Sequence, residues 1–456
     1  MEVVNPYDDS VVGVTSFATD RDLDDALNAA EDAFEIMRRM PTYERANALH
    51  RLASLMESRK EEIALLIARE AGKPLRDARV EADRGVFTVL NAAEEAKRID
   101  GEMIPLDLLP SSKGRFGITR KVPIGPIAGI SPFNFPLNLA LHKVAPAIAS
   151  GNTIVLKPPT HDPLTMLTVA EMIDELGLPK GAVSIMPMDR SVGDRLVTDD
   201  RFKLLSFTGS PDVGWDMKRR AGKKKVVLEL GGNAGVLVDR DADLDFAVSR
   251  VRTGAFAYAG QVCISVQRVY VHKEVYHQFL DKLVAAVRTI AIGDPSDPAT
   301  ELGPMIDAKA AGRIDSWVQD AVRNGARVLT GGKADGRFFE PTVIVDAKRE
   351  AFVCSREAFA PIVNVFPFDD WDSALAQVND SVFGLQAGVF TASLENALKA
   401  FDQLEVGGVI INDIPTYRID HMPYGGVKDS GLSREGLRYA IEDMTETRLM
   451  VINRLG

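Results

Sequence analysis

The sequence has little cysteine and little histidine, and these two scarcities exclude several kinds of site. Its 456 residues include only two cysteines, Cys263 and Cys354, which cannot build a disulfide framework or a thiol-rich metal centre. The six histidines show no recognisable metal-ligand spacing, so we expect no bound metal. Because disulfides are sparse in reducing compartments, the composition favours a cytoplasmic protein.

A surplus of positive charge is also lacking. The 54 Lys and Arg residues are outnumbered by 65 Asp and Glu residues, which argues against a nucleic-acid partner and gives no reason to expect an anionic membrane surface. The acidic first ten residues do not resemble a signal or transit peptide. The uncharged run 122–141 is long enough to span a bilayer, but its four prolines interrupt any helix. We therefore expect a buried strand followed by a loop there.

The pattern of apolar residues predicts two α/β domains. The first hundred residues are predicted helical, with a capping box at Thr19 and Asp22 and longer helices over about 44–70 and 74–99. From Gly125 onward, short apolar runs alternate with helical segments, which is typical of a parallel, doubly wound sheet with right-handed crossovers. Five strands are predicted before residue 231 and five after it, over 127–131, 153–157, 183–186, 203–207, 225–230, 235–238, 268–272, 342–345, 388–391 and 408–412.

Two further predicted strands, 116–122 and 445–453, belong to neither series and are interpreted as an arm and a terminal strand. Doubly wound sheets bind ligands at the carboxyl ends of their strands. Chemically capable residues occupy such ends here: Asn134 follows one strand, Lys157 ends another, and Glu229 stands before a glycine pair. An isolated buried carboxylate is costly, so Glu229 must be solvated, paired or functional.

Cys263 lies in a loop between a predicted helix and a predicted strand. A lone cysteine is usually a small buried hydrophobe, and that interpretation is kept for Cys354. A thiolate on a loop of a rigid scaffold is, however, a strong nucleophile, and the three strand-end residues give Cys263 a catalytic context.

Together these segments resemble the aldehyde dehydrogenase superfamily over nearly the whole chain. The resemblance rests on seven motifs in the family's order: GISPFNFPL (129–137), VLKPP (155–159), SFTGS (206–210), ELGG (229–232), GQVC (260–263), EAFAPI (357–362) and MPYGGVKDSG (422–431). It implies an atypical Rossmann domain, 1–103 with 124–229, a catalytic domain, 230–444, and a small β arm for oligomerisation, 104–123 with 445–456. The absent G-x-G-x-x-G fingerprint fits this family, whose dinucleotide binds in an atypical way.

The resemblance also implies a mechanism and a cofactor site. The Cys263 thiolate would attack the aldehyde, the Asn134 side chain and the Cys263 backbone N–H would hold the oxyanion, and hydride transfer to nicotinamide would leave a thioester. Glu229 would be the general base for the water that releases the acid. The implied cofactor contacts are Glu357 at the nicotinamide ribose with Phe359 beside the same ring, Lys157 and Ser210 at the adenosine ribose and pyrophosphate, and Ser131, Phe133, Thr160, Gly209 and Gly231 around them.

Departures from the common pattern refine these expectations. Thr160 lies near the place where many NAD-preferring members carry a glutamate, so the cofactor is NADP or NAD, with NADP tolerated and a preference for it left open. Arg84 and Arg418 match substrate-anion arginines of non-phosphorylating glyceraldehyde-3-phosphate dehydrogenases. The alternative is a solvated Arg84 and an Arg418 paired with Asp420.

Val262 and the substrate-site residue Phe135 lack polar groups that those phosphate-specific enzymes offer. The chain therefore looks closer to members that oxidise lactaldehyde or small anionic aldehydes such as phosphonoacetaldehyde.

Other functions remain open at this stage. A CoA-acylating dehydrogenase generally lacks a glutamate at the position of Glu229, so hydrolysis is favoured over it. A catalytically silent structural member and a cysteine hydrolase are weaker alternatives, because the reactive residues are intact and no histidine lies in either key motif. The resemblance further implies a homodimer or homotetramer.

Overall fold

The computed structural model describes residues 1–454, so the last two positions of the predicted arm lie outside the described residues. The first helical layer begins with the predicted capping box, in which Thr19 and Asp22 satisfy each other's backbone N–H groups. The elements up to residue 123 are β1 (Glu2–Val4), β2 (Val11–Val14), α1 (Asp20–Met37), α2 (Thr42–Ser58), α3 (Lys60–Ala71), α4 (Leu75–Ala96), β3 (Met103–Pro105) and β4 (Arg115–Pro123).

The single helix predicted over 44–70 is wrong, because the chain breaks it at Arg59. This residue leaves the helical conformation (φ −112°, ψ 17°), and its guanidinium pairs with Glu62 in the first turn of α3. No proline or glycine marks the break, so the periodicity alone could not show it. Gly72, in contrast, ends α3 in the left-handed conformation that glycine tolerates best, as its place between the predicted helices indicated.

The first sheet carries the five strands predicted before residue 231, and all five are parallel. Its order is β21-β9-β8-β5-β6-β7, where β21 is a short antiparallel edge strand. The elements from residue 127 to 229 are β5 (Ile127–Ile130), α5 (Asn138–Ser150), β6 (Ile154–Lys157), α6 (Leu164–Asp174), β7 (Val183–Ile185), α7 (Arg190–Thr198), β8 (Leu204–Thr208), α8 (Pro211–Arg220) and β9 (Lys225–Glu229), with β21 at Gly431–Leu432.

The second sheet has seven strands in the order β12-β15-β16-β11-β10-β18-β19, parallel except for β12 at one edge. Its α/β elements are β10 (Ala234–Val238), α9 (Leu244–Phe256), β11 (Val266–His272), α10 (Lys273–Val287), α11 (Ala308–Arg323), β12 (Arg327–Thr330), β15 (Thr342–Val345), α12 (Phe352–Ser355), β16 (Ile362–Phe368), α13 (Trp371–Asn379), β18 (Gln386–Phe390), α14 (Leu394–Gln403) and β19 (Gly408–Ile411). Two small antiparallel pairings complete this half: the hairpin of β13 (Ala334–Asp335) with β14 (Phe338–Phe339), and the long-range pair of β17 (Phe383–Gly384) with β20 (Val427–Lys428).

The sequence did not predict β16, although this strand lies inside the sheet and five of its seven residues are buried. Pro367 falls within it, and a proline normally argues against an interior strand because it cannot donate to the ladder. The antiparallel edge strand β12 was not predicted either, whereas the ten predicted strands of the two α/β series are confirmed.

The chain returns to the first sheet before it ends. Strand β21 pairs with β9, and α15 (Leu437–Asp443) packs on α5 and α4. Residues 431–444, assigned to the catalytic domain from the resemblance, therefore pack with the first sheet.

The two predicted outlying strands pair with each other. β22 (Thr445–Asn453) runs antiparallel to β4, from Thr445 opposite Pro123 to Asn453 opposite Arg115, and β3 covers the other side of β4. The outer strand β22 exposes Leu449, Met450 and Val451, each by about half of its surface. Among residues 1–454, no helix combines the length and apolarity needed to cross a membrane.

Candidate active site

The loop that carries Cys263 has an unusual backbone. Just before it, Tyr258, Ala259 and Gly260 adopt positive φ angles of 47°, 52° and 68°, a conformation that costs free energy for residues other than glycine. A Cβ at Gly260 would lie 2.1 Å from the carbonyl oxygen of Ala360, so only glycine fits there. This turn lies between α9 and β11, and Cys263, which follows it, lines two cavities.

The Cys263 side chain lies where two cavities meet. One, of about 450 Å³, is also lined by residues of the predicted cofactor site; the other, of about 290 Å³, is lined by the two predicted substrate arginines. Both cavities share a short set of lining residues: Leu139, Thr208, Glu229, Leu230 and Cys263. A molecule in either cavity therefore has access to the same sulfur atom.

Asn134 is held beside this cysteine by a buried ion pair. The side-chain Nδ2 of Asn134 donates to the backbone carbonyl oxygen of Gln261 at 2.9 Å. The backbone carbonyl oxygen of Asn134 accepts a hydrogen bond from Lys73 Nζ at 2.6 Å. Lys73 pairs with Glu81, whose Oε1 also accepts the backbone N–H groups of Leu137 and Asn138. An amide nitrogen has two donors, so one N–H of Asn134 remains for a ligand oxygen.

Glu229 is 3% exposed, and neither oxygen of its carboxyl group has a hydrogen-bond partner among the described residues. Burial, together with the negative charge of Glu435, raises the pKa of Glu229 well above its usual range.

Glu435 behaves in the opposite way because it is paired. Burial alone would raise its pKa, but the charges of Lys143 and Arg418 lower the pKa of Glu435 to about 2. Lys143 Nζ lies 3.3 Å from Glu435 Oε1, and Arg418 Nη2 donates to Oε2 at 3.0 Å. Sequence reasoning missed Lys143 and Glu435, since neither is distinguished by its local pattern.

The thiol of Cys263 has one polar partner, which the sequence also did not single out. The Tyr424 hydroxyl lies 2.9 Å from Sγ, and burial raises the pKa of Cys263 to about 12 despite this contact. Tyr424 belongs to the MPYGGVKDSG motif, and the only sequence feature that could have indicated a role at the site was its hydroxyl group within that motif. Cys354 is buried away from both cavities, as expected of a packing residue.

The larger cavity holds most of the predicted cofactor residues: Ser131, Phe133, Gly209, Ser210, Gly231, Glu357 and Phe359. The Phe133 and Phe359 rings pack edge to face, and their centroids are 5.8 Å apart. Glu357 Oε1 accepts the Gly232 N–H at 2.9 Å, which leaves Oε2 available, and burial raises the pKa of Glu357 to about 7. A Cβ at Gly231 would lie 2.5 Å from Oε2, so a side chain there would displace the carboxylate.

A third cavity, of about 470 Å³, continues past Ile130 to Lys157 and Thr160, whose side chains are hydrogen-bonded at 3.2 Å. Two arginines line it. Arg220 is engaged by Asp194 and Asp216, whereas Arg190, at the start of α7, has no partner among residues 1–454. Arg190 was not predicted; its place after a strand end was the signal available.

These cavities fit a nicotinamide dinucleotide. Two aromatic rings, a close-approach glycine and a carboxylate oxygen without a partner line the same cavity as Cys263. Hydroxyl and cationic groups lie at the far end, where a ribose and its phosphates would need them. Within the described residues, no group of three or more His, Cys, Asp and Glu side chains is arranged to hold a metal ion.

The structure places Arg84, Arg418 and Phe135 in the smaller cavity, but both arginines are already paired. Arg84 binds Asp420 through two hydrogen bonds of 2.7 and 3.0 Å, so the alternative of a solvated Arg84 is wrong. Arg418 pairs chiefly with Glu435, at 3.0 Å, and lies 3.9 Å from Asp420. The Arg84 side chain is 24% exposed and that of Arg418 6%, so Arg84 is the more accessible cation.

Comparison with known proteins agrees with this geometry. The model of the aldehyde dehydrogenase family matches residues 1–450. The chain is 45% identical to 3-sulfolactaldehyde dehydrogenase of Priestia megaterium, over 99% of this chain and 95% of that protein. It superposes with a TM-score of 0.98 on aldehyde dehydrogenase 21 from Physcomitrella patens in complex with the reaction product succinate, at 47% identity, covering 100% and 95% of the two chains.

A second solved structure is glyceraldehyde-3-phosphate dehydrogenase GapN from Methanocaldococcus jannaschii complexed with NADP. Its TM-score is 0.96 at 37% identity, and the match covers 100% of this chain and 99% of that one. The chain belongs to the aldehyde dehydrogenase family. It is an NAD(P)-dependent aldehyde dehydrogenase with the family's α/β fold, as the motifs predicted.

The thiol environment predicts how the free enzyme reacts with alkylating agents. Because the pKa of Cys263 is about 12, its thiolate fraction should grow about tenfold per pH unit from pH 7 to 10. Iodoacetamide labelling, followed by peptide mass spectrometry, should therefore accelerate throughout this range without a plateau. The Cys354 peptide is the internal control, since its buried thiol should stay slow. A plateau for Cys263 below pH 8 would contradict this picture.

Proposed function

We propose that Cys263 is the nucleophile for an aldehyde that enters from the 290 Å³ cavity, while the nicotinamide end of the dinucleotide occupies the 450 Å³ cavity. The observation that carries this proposal is the position of Sγ at the junction of the two cavities. Attack by the thiolate forms a carbon–sulfur bond and places negative charge on the former carbonyl oxygen. The free N–H of Asn134 and the Cys263 backbone N–H stabilise this oxyanion, and each such donor is typically worth about 3 kcal/mol.

When bound beside Phe133, Phe359 and Glu357, a nicotinamide dinucleotide would supply the hydride acceptor needed to oxidise the thiohemiacetal to a thioester. Glu229 then acts on water. Its raised pKa makes the ionised carboxylate a strong base, which removes a proton as the water oxygen attacks the thioester carbon. The carbon–sulfur bond breaks, the sulfur leaves with the electron pair as thiolate, and the product is the free carboxylic acid.

This assignment predicts two different defects in two variants. Cys263→Ala should abolish dehydrogenase activity, because no other thiol reaches the cavities. Glu229→Gln should retain a burst of reduced cofactor equal to the enzyme concentration and then turn over at least about 100-fold more slowly, since only general-base release is lost. Stopped-flow absorbance measures both phases, and Cys354→Ala is the matched control that should behave as wild type.

The same experiment tests the nearest rival, a CoA-acylating enzyme. If adding CoA makes the steady-state turnover of the wild-type enzyme faster than it is in water alone, the acyl group is released by the CoA thiol and not by water. If Glu229→Gln shows no burst and turns over as fast as wild type, Glu229 is not the base that activates water.

For the substrate, we propose a small aldehyde with an anionic or hydroxylated tail. Support comes from three cations in the 290 Å³ cavity, Lys73, Arg84 and Arg418, and from Thr416 beside them. The similar proteins named above carry names or ligands with sulfonate, carboxylate or phosphate groups. The anionic group at the tail of the substrate would bind Arg84 in competition with Asp420. Arg418, which lines the same cavity, would add a second positive charge.

Arg84→Gln should therefore separate charged from neutral substrates. We expect KM for succinate semialdehyde or phosphonoacetaldehyde to rise about tenfold or more, because one charge-assisted hydrogen-bonded contact is lost. KM for lactaldehyde should change less than about threefold. Arg79→Gln, on the same helix but paired with exposed Glu61, is the control. Equal effects of Arg84→Gln on charged and neutral aldehydes would remove the anion argument.

For the cofactor, we propose a preference for NADP over NAD. The adenosine end of the cavity system offers Thr160 where a carboxylate would repel a 2′-phosphate, together with Lys157 and the unpaired Arg190. Arg220 is less available because two aspartates already neutralise it.

Arg190→Ala should accordingly raise KM for NADP about tenfold while changing KM for NAD by less than about twofold, since only the 2′-phosphate loses its cation. Steady-state kinetics at fixed aldehyde measures this. Arg219→Ala, an exposed neighbour on α8 outside the cavity, is the control. If both cofactors respond alike to Arg190→Ala, this arginine does not read the phosphate.

We also propose a homodimer or homotetramer formed through β22. This strand lies at the edge of its three-stranded sheet, and an exposed edge with apolar side chains is prone to pair with another chain. Light scattering after size exclusion should give at least twice the chain mass of 49.7 kDa. A monomer at micromolar concentration would contradict the role of the arm.

A cytoplasmic location is the last part of this proposal. Both cysteines are free thiols, and the proposed reaction needs one of them reduced. The charge balance offers no basic surface for membrane association.

A further inference from the structure

Tyr424 is the one described residue whose polar group touches the Cys263 sulfur. Its hydroxyl lies 2.9 Å from Sγ, a short separation for a sulfur hydrogen bond, and the tyrosine is 3% exposed. Asn134 Nδ2 is directed to the Gln261 carbonyl, and the carboxyl oxygens of Glu229 have no hydrogen-bond partner among residues 1–454. The hydroxyl of Tyr424 has no second partner among residues 1–454.

The ring of Tyr424 is held firmly in this position. Its backbone N–H and carbonyl both pair with Glu435, at 3.0 and 2.6 Å, in an isolated antiparallel bridge. The Arg418 guanidinium lies 3.7 Å from the ring centroid, close enough for a cation–π contact. A phenylalanine would keep the ring and both of these restraints and would lose only the O–H.

We propose that Tyr424 is a catalytic residue whose O–H donates a hydrogen bond to the Cys263 sulfur whenever that sulfur carries negative charge. The proposal rests on the proposed function, in which Cys263 is the nucleophile. Such charge develops twice. In the first step the thiol proton is released to bulk solvent and the thiolate attacks; in the last step the carbon–sulfur bond breaks and the sulfur recovers the electron pair.

The tyrosine keeps its proton throughout, so no net transfer passes through it. A hydrogen bond to a charged group is stronger than one to a neutral group, so the contact favours the thiolate over the neutral thiol. The cation of Arg418 beside the ring makes the hydroxyl a better donor. Without the O–H, the sulfur would lie in an apolar cavity wall, where its charged form is poorly stabilised.

The experiment is a thiol titration by reactivity on the full-length, cofactor-free enzyme. Second-order rate constants for iodoacetamide alkylation of Cys263 are measured from pH 7 to 10 in wild type and Tyr424→Phe. We expect the variant to react about tenfold more slowly at each pH, because the thiolate fraction falls by the strength of one charged hydrogen bond. The kcat of Tyr424→Phe should fall at least as far, with KM for NADP within twofold.

Tyr270→Phe is the matched control, since it removes a buried hydroxyl that bonds to Arg268 and Gln377 far from the cavities. Its alkylation profile should overlay wild type. An alkylation profile of Tyr424→Phe within twofold of wild type would overturn the role of Tyr424 while leaving the proposed function intact. Retained activity in Cys263→Ala would instead show that the proposed function itself fails.

Discussion

The burial of charged side chains at the junction between the two sheets is the constraint on which the site depends. Removing charge from water is expensive, and the cavity walls meet that cost by pairing: Lys73 with Glu81, Arg84 with Asp420, Arg418 with Glu435. The carboxyl group of Glu229 has no such partner among the described residues, and burial raises its pKa well above the usual range. Burial also raises the pKa of the Cys263 thiol, to about 12.

The same pairing bears on the proposed selection of a ligand by the smaller cavity, which is lined by three cations and four carboxylates. Arg84 is partly exposed and already satisfied by Asp420, so in the proposed site a substrate anion would replace an existing interaction instead of filling an empty one. A neutral aldehyde could not make this exchange with Asp420, and a medium of low polarity would strengthen the new ion pair. Asn138 and His142 also contact Asp420, which fixes the carboxylate that holds Arg84. The hydrogen bonds around Asp420 therefore both hold the Arg84 side chain in place and set the interaction with which a substrate anion would compete.

Much of the fold and the central residues could be predicted from the sequence, for identifiable reasons. Strand–helix alternation gave the two parallel sheets, and strand ends gave Asn134, Lys157 and Glu229, because apolar runs and their termini are local features. The break at Arg59 and the strand containing Pro367 were missed because local propensity contradicted the tertiary structure there. Tyr424, Lys73 and Glu435 act through contacts 61 to 292 positions away along the chain, which no window of sequence reveals.

The central claim is that one cysteine carries the covalent chemistry at the meeting point of substrate and cofactor. Acid quenching of the enzyme during turnover with NADP and succinate semialdehyde, followed by digestion and mass spectrometry, tests it most directly. The account predicts an added acyl mass on the peptide that contains Cys263, and none on the peptide that contains Cys354. An acyl group elsewhere, or an unmodified Cys263 while oxidation proceeds, would contradict it.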